Sequence, residues 1–274
     1  MPATKLLNNG VPIPVVGFGT YKIADDEAPA AVRTALEAGY RHVDTAALYR
    51  NERGVGQAVR ESGLAREDVF VVTKLWNDQH GFDSALRAFD KSLARLGMDY
   101  VDLYLIHWPV PAKGLYVETW KAFERLYAEG RVRSIGVSNF EVDHLRRLLA
   151  EADVVPAVNQ IELHPWLAQA ELRRFHDEHG IATEAWSPLA RGGDLLLGND
   201  VVNAIAARLD ATPAQVVMRW HVQLGNVVIP KSVTPARIKE NFAFDGVELT
   251  DEDMSALAAL DNDTRLGPHP NHLS

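Results

Sequence analysis

The 274-residue chain has no cysteine, which excludes disulfides, thiolate metal sites and a cysteine nucleophile. It also lacks a basic excess: 28 Lys plus Arg stand against 37 Asp plus Glu, for a formal net charge of −9. A surface of that sign repels a phosphate backbone and an anionic bilayer, so neither nucleic acid nor a membrane is expected as a partner. No basic segment followed by an apolar one opens the chain, and the most apolar stretch, Tyr100 to Val110, is broken by Asp102 and His107. A soluble cytoplasmic protein is the expectation. Linkers, low-complexity segments and shifts of composition are missing too. With 47% hydrophobic residues, one domain over residues 1–274 with a single large core is expected.

What is present is an alternation of helix-like segments and short β-branched runs, the pattern of successive βα units. Ala28 to Ala38 carries Ala31, Val32, Ala35 and Leu36 at helical spacing, stops at Gly39 and hands over to Arg41-His42-Val43-Asp44. The runs Val69–Thr73, Val101–Ile106, Ser134–Val137, Val154–Val158, Ile181–Ala185 and Asn226–Ile229 follow. With Val15–Gly19 as the first, they make about eight strands, the number a closed parallel (β/α)8 TIM barrel needs. An N-terminal β-hairpin (Lys5 to Leu7 with Val11 to Ile13) and extra helices toward the C-terminus, from Val201 to Leu224, complete the expected fold. Thr212-Pro213-Ala214-Gln215 reads as a capping box with proline at the first helical position, and Thr234-Pro235 repeats the pairing.

Strand after strand ends in residues that a core would not choose: Asp44, Lys74, His107, Ser138 with Asn139, Gln160, Trp186 with Ser187, and Lys231 with Ser232. In a barrel the carboxyl ends of all strands meet on one face, so these residues are expected to form one pocket. Asp44, Tyr49, Lys74 and His107 are the chemical parts of a carbonyl reductase. Hydride arriving at a carbonyl carbon leaves an alkoxide that must be stabilised and protonated. A Tyr49 hydroxyl, ordinarily titrating at about 10, can supply the proton if the Lys74 ammonium eases its release. Asp44 would hold Lys74 charged, and a neutral His107 would bond the carbonyl oxygen.

At these residues the chain closely resembles the aldo-keto reductase superfamily. The matching words are Gly39-Tyr40-Arg41-His42-Val43-Asp44-Thr45-Ala46, Tyr49-Arg50-Asn51-Glu52, Thr73-Lys74-Leu75-Trp76, Asp102-Leu103-Tyr104-Leu105-Ile106-His107-Trp108-Pro109, Gly136-Val137-Ser138-Asn139-Phe140, Val158-Asn159-Gln160-Ile161-Glu162 and Ile229-Pro230-Lys231-Ser232. Trp76-Asn77-Asp78, Asn159 to Pro165 and Trp186 make it most similar to the prokaryotic branch that includes 2,5-diketo-D-gluconate reductases. The resemblance implies NADPH/NADP+ as cofactor without a Rossmann fold, since Gly17-Phe18-Gly19 lacks the third glycine of that fingerprint. It implies that Ser138, Asn139 and Gln160 bond the nicotinamide carboxamide, Trp186 stacks on the ring, and Ser187 and Leu189 lie along the pyrophosphate. Lys231, Ser232 and Arg237 match contacts to the adenosine 2′-phosphate, Val233 matches a further cofactor-binding position, and Glu240 and Asn241 match contacts to adenine. A helix start beside two cations suits a phosphate on physical grounds as well. Tyr21, Leu48, Trp76 and Trp108 match the substrate pocket, an aromatic wall for small carbonyl compounds. The resemblance also implies a monomer.

Two departures stand out. Arg50 occupies a position where related reductases usually have glycine, and it brings a cation near the pocket mouth. The segment after Leu266 is short, so the long specificity loop of animal members is largely missing. Two other functions remain open on the residues alone. A metal-dependent barrel hydrolase is suggested by His42-Val43-Asp44, Lys74, His107 and His164 at strand ends, although His42 and Asp44 do not make the usual two-histidine pair and no metal is expected. A nucleotide-binding protein without turnover is the other, against which the intact tetrad counts. Taken singly, a strand-end Asp44 is more often a helix N-cap or loop ligand, His107 is compatible with a satisfied core histidine, and Trp186 with plain barrel packing. His42 is expected to point inward in a structural role, His164 to be structural or pocket-lining, and His176 and His179 to lie at the surface.

Overall fold

A computed structural model describes residues 3–192 and 194–273. The chain opens with an antiparallel hairpin of β1 (Thr4–Leu6) and β2 (Pro12–Pro14). Eight parallel strands follow: β3 (Phe18–Gly19), β4 (His42–Asp44), β5 (Phe70–Leu75), β6 (Val101–Ile106), β7 (Val132–Ser138), β8 (Val158–Glu162), β9 (Ala182–Trp186) and β10 (Val227–Val228). Each pairs with the next in chain order. A parallel bridge between Val16 and Val228 joins the last strand to the first and closes the sheet into a barrel. The expected (β/α)8 fold with its N-terminal hairpin is therefore the one observed.

Helices alternate with the strands: α1 (Ala28–Glu37), α2 (Glu52–Glu61), α3 (Phe82–Leu96), α4 (Tyr116–Ala128), α5 (Val142–Glu151) and α6 (Ala170–Glu178). Between β9 and β10 come α7 (Asp194–Leu197), α8 (Asp200–Arg208) and α9 (Pro213–Gln223), and α10 (Pro235–Glu240) and α11 (Asp251–Ala258) follow the barrel. The capping box at α9 forms as the sequence predicts, with Thr212 N donating to Gln215 Oε1 (2.9 Å) and Gln215 N to Thr212 Oγ1 (3.3 Å). Such a cap contributes about 1 kcal/mol. At α10 the chain turns at Thr234 as expected, but the Thr234 side chain makes no cap bond. Ser232 Oγ instead accepts from Thr234 N (3.1 Å).

One strand is displaced from its expected position. Val154–Val158 was the apolar run, yet β8 occupies Val158–Glu162. Pro156 cannot donate to a ladder, and the preceding backbone is bonded elsewhere: Trp120 Nε1 donates to Val154 O (3.1 Å), and Glu124 Oε1 accepts from Val154 N (2.9 Å).

Side chains alternate along a strand, so every second residue faces the barrel interior. Phe70, Val72, Leu103, Leu105, Val158, Ala182 and Val227 fill that interior together with Leu7 and Ile13 of the hairpin, which plugs the amino end. Asn9, in the hairpin turn, donates to Arg133 O (2.9 Å) and Ser134 Oγ (3.1 Å) and fixes the plug to β7. The other strand face packs with the helices into the larger apolar core. The same parity that sends Phe70 and Val72 inward sends Lys74 inward one step higher, at the carboxyl end.

Several histidines lie inside. His42 and His164 are fully buried, as expected for structural positions, and His179 is exposed. His176 is not at the surface: it is fully buried, with Nδ1 2.8 Å from Thr183 Oγ1 and Nε2 2.9 Å from Asn159 Nδ2. It sits on the inner face of an otherwise polar helix, where its two polar partners come from the neighbouring strands β8 and β9. Burial pulls His42 and His80 down to about 4 and His176 and His221 down to about 3, from an ordinary 6.5. Between those values the unfolded chain binds protons that the folded chain refuses, so stability present above 6.5 is lost as pH falls. We expect the unfolding free energy from urea titrations to drop steadily from pH 6.5 to pH 4, where the four histidines outweigh the opposing effect of Glu184, with a slope of at least about 1.4 kcal/mol per pH unit; a flat profile would show that these rings are already charged in the native state.

Candidate active site

The inward positions at the carboxyl ends of adjacent strands supply the polar floor of the barrel mouth: Asp44 after His42, Lys74 after Val72, His107 after Leu105, Ser138 after Gly136, Gln160 after Val158, and Trp186 after Glu184. Lys74, fully buried, points its Nζ at both Asp44 oxygens (2.6 and 2.7 Å), at Thr45 O (2.9 Å) and at Tyr49 Oη (3.5 Å). Tyr49 comes from the helical turn Ala47–Tyr49 after β4, and its ring lies 5.7 Å from that of His107. Asp44, Tyr49, Lys74 and His107 are thus brought into one group.

The electrostatics differ from the sequence-based expectation in one respect. Lys74 was expected to ease proton release from Tyr49. Instead burial, followed by the charge of Asp44, raises the Tyr49 phenol well above its ordinary 10. Tyr49 therefore holds its proton at neutral pH. His107 is driven well below 6.5, first by burial and then by Lys74, and is neutral.

Around this group stand aromatic rings. Tyr21 lies 5.1 Å from the Tyr49 ring, and Trp76 5.2 Å from that of His107. Trp108 is buried, stacked 6.4 Å from His107, while Tyr21 and Leu48 are exposed at the rim. Arg50 is exposed beside them, with φ of 57°. That left-handed backbone costs a non-glycine residue on the order of 1 kcal/mol, which is a physical reason for the glycine that the family resemblance leads one to expect here.

A second network joins the ends of β6 to β9. Trp186 Nε1 donates to Asn139 Oδ1 (2.8 Å), and Asn139 Nδ2 donates to His107 O (3.0 Å) and Ser138 Oγ (3.1 Å). Ser138 Oγ donates to Gln160 O (2.8 Å). Gln160 spends its amide nitrogen on two carboxyl groups, Asp44 Oδ2 (2.9 Å) and Glu184 Oε2 (2.8 Å), which leaves its carbonyl oxygen for any further partner. Ser187 and Leu189 follow Trp186 half-buried, and Ser187 has φ of 50°. On the loop after β10 and on α10, Lys231, Val233 and Arg237 are exposed, Ser232 and Glu240 are partly so, and Asn241 is buried.

Two features escaped the sequence reading. Glu184 is fully buried at the centre of the mouth, and burial together with Asp44 pushes it up to about 8; its signal was a carboxylate at an inward position of an apolar strand. Glu162 holds the C-terminal segment: its oxygens accept from Leu266 N (2.7 Å) and Gly267 N (2.9 Å), with His164 Nε2 at 3.2 Å. Burial opposes the charge of Glu162, but these bonds outweigh it and keep its carboxyl below the usual range. A Cβ on Gly267 would lie 2.5 Å from Trp186 Cη2, so only glycine lets the tail pass this close to the indole. His42 and His164 are engaged with Pro14, Glu184 and Glu162, and among the described residues no three His, Asp or Glu side chains form a cluster able to hold a metal ion. Likewise, no helix among them is long and apolar enough to cross a membrane.

The chain is similar to known proteins over nearly its whole length. The sequence pattern of the Aldo/keto reductase family matches residues 15–262. An aldo-keto reductase of Mycolicibacterium smegmatis is 56% identical over 264 residues, 96% of this chain and 95% of that one. A glyoxal reductase of Bacillus subtilis is 49% identical over 271 residues, covering 98% and 97% of the two chains. The crystal structure of a Gox0644 mutant in complex with NADPH superposes with a TM-score of 0.95 at 46% identity, over all of this chain and 99% of that one. The chain belongs to the aldo/keto reductase family.

Proposed function

We propose that the protein reduces small aldehydes and ketones, α-dicarbonyl compounds among them, with NADPH as the reductant. The observation that carries this reading is the buried Asp44–Lys74 pair with Tyr49 Oη 3.5 Å from the ammonium and His107 beside it. Similarity to a glyoxal reductase supports the dicarbonyl class, and similarity to a protein solved with NADPH supports the cofactor.

The residues present fit such a cofactor. Trp186 offers a partly exposed ring, Gln160 keeps a free carbonyl oxygen for a carboxamide N–H, and Lys231 and Arg237 offer exposed cations to a 2′-phosphate. In this reading Ser138 and Asn139 hold the carboxamide, Ser187 and Leu189 border the pyrophosphate, Ser232 and Val233 flank the 2′-phosphate, and Glu240 and Asn241 border the adenine. When bound, the reduced nicotinamide supplies hydride to the carbonyl carbon. The chain supplies the rest. Neutral His107 and the Tyr49 hydroxyl bond the carbonyl oxygen, and negative charge growing there takes the Tyr49 proton. The Lys74 ammonium next to the phenol stabilises the phenolate that is left, and Asp44 keeps that ammonium charged and aimed. A phenol that stays protonated at neutral pH is a proton donor throughout the working range. Tyr21, Leu48, Trp76 and Trp108 wall the pocket, excluding water and favouring small, flat substrates.

Tyr49→Phe removes the donated proton and leaves the pocket shape. Turnover of glyoxal, followed by NADPH absorbance, is expected to fall by about 100- to 10,000-fold, with NADPH affinity, read by quenching of Trp fluorescence, changed little; near-normal turnover would refute the assignment. Arg237→Ala is expected to weaken NADPH about 10- to 100-fold through loss of a charge-assisted bond and to leave NADH nearly untouched. Equal weakening of both would remove Arg237 from the 2′-phosphate site.

A further inference from the structure

Glu184 stands under the group just described, and no step assigned above uses it. Its side chain has no solvent contact. Oε2 accepts from Gln160 Nε2 (2.8 Å), and the same nitrogen donates to Asp44 Oδ2 (2.9 Å). Oε1 has no hydrogen-bond partner of its own, nor has His42 Nε2, and the two atoms face one another at 3.4 Å. The other ring nitrogen, His42 Nδ1, lies 3.2 Å from Pro14 O. A carbonyl only accepts, so Nδ1 carries the hydrogen and a neutral His42 presents a bare lone pair at Nε2. The ring cannot turn away: a Cβ on Gly17 would lie 2.6 Å from Nδ1, so the strand backbone packs directly on it, and Phe70 meets it edge-on at 5.2 Å. Two lone pairs in a sealed interior repel unless a proton lies between them.

We propose that Glu184 is a neutral carboxylic acid in the resting protein, donating its proton to His42 Nε2, and that through Gln160 it is a positioning residue for the Asp44–Lys74 pair. The alternative, an imidazolium beside a carboxylate, would bury two more charges next to Asp44 and Lys74, and outside the pair itself their only partners would be Pro14 O and Gln160 Nε2. Burial lowers His42 to about 4 and raises Glu184 to about 8, in accord with the neutral pair. The charged or titratable groups around Glu184 are His42 and Asp44 from β4, Tyr49 from the turn after it and Lys74 from β5; Asp102 of β6 acts on His42, and β10 presents uncharged Val227 in register. Asp44 favours the protonated acid, while Lys74 and the Gln160 hydrogen bond oppose it.

The neutral acid keeps one negative charge, not two, beside Lys74, and it orients Gln160 so that the amide nitrogen points down and the carbonyl oxygen faces the mouth. Loss of its proton in alkaline solution adds a second buried anion whose field raises Tyr49 further. Tyr49 then becomes a weaker acid, so the proton-transfer step slows as pH rises. This kinetic half rests on the proposed reductase reading; the protonation state does not.

The test uses the full chain, free of cofactor and labelled with [δ-13C]glutamate, titrated by NMR. One glutamate δ-carbon is expected to remain protonated at pH 7, to titrate around pH 8, and to be missing in Glu184→Gln. If the δ-carbon shifts show every glutamate carboxyl ionised at pH 7, or if the late-titrating one persists in Glu184→Gln, the inference is overturned. Should the variant fail to fold, the wild-type titration decides alone, because ordinary glutamates titrate near about 4.3. Single-turnover NADPH oxidation with glyoxal should decline in the wild type through the same pH, and Glu184→Gln, which keeps an acceptor for Gln160 and cannot ionise, should lack that limb. A limb retained in the variant overturns the positioning role. A late-titrating Glu184 in a protein that reduces no carbonyl would sink the reductase reading and leave the protonation state standing.

Discussion

The Lys74 ammonium is the constraint around which the barrel mouth is arranged. An enclosed cation is stable only if its protons are taken by acceptors and its charge is met, because isolated burial of such an ion costs several kcal/mol. Asp44 meets the charge, Thr45 O takes a further proton, and Tyr49 Oη lies at the edge of bonding range. Asp44 must in turn be held, and Gln160 Nε2 does so from across the barrel. These groups come from β4 with the turn after it, from β5, and from β8 on the opposite side, so the site is complete only when the cylinder closes, and the Val16–Val228 bridge is as much a condition of the chemistry as the side chains are.

Much of this arrangement was legible before any coordinates. The strands show as short apolar runs, and the residues a core would not choose fall at their carboxyl ends. Period-two alternation makes the further point that Phe70, Val72 and Lys74 share one face, as do Leu103, Leu105 and His107. Where the reading slipped, the cause was local chemistry overruled by distant partners. Val154 and Val155 look like strand, but Pro156 cannot donate, and Trp120 and Glu124 claim the backbone of Val154. His176 lies on a polar helix, yet Thr183 and Asn159 receive its ring inside.

Glu184 and Glu162 were illegible for a related reason. A buried carboxyl announces itself only by its partners, and these are scattered: His42, Gln160 and Asp44 for the first, Leu266, Gly267 and His164 for the second. The Tyr49 proton affinity could not be read either. Sequence places an ammonium near a phenol, but the depth of burial and the tightness of the Asp44 contact decide the sign, and only geometry supplies those.

The hairpin that opens the chain plugs one end of the barrel with Leu7 and Ile13 and is tied down by Asn9. The barrel is therefore a cup rather than a tube. Water, protons and small molecules all pass through one rim, and nothing drains through the base. Whatever fills that rim also stoppers the vessel, so the dielectric around Lys74 and Tyr49 is set by occupancy: the site dries as it loads, and every charge in it acts at greater strength.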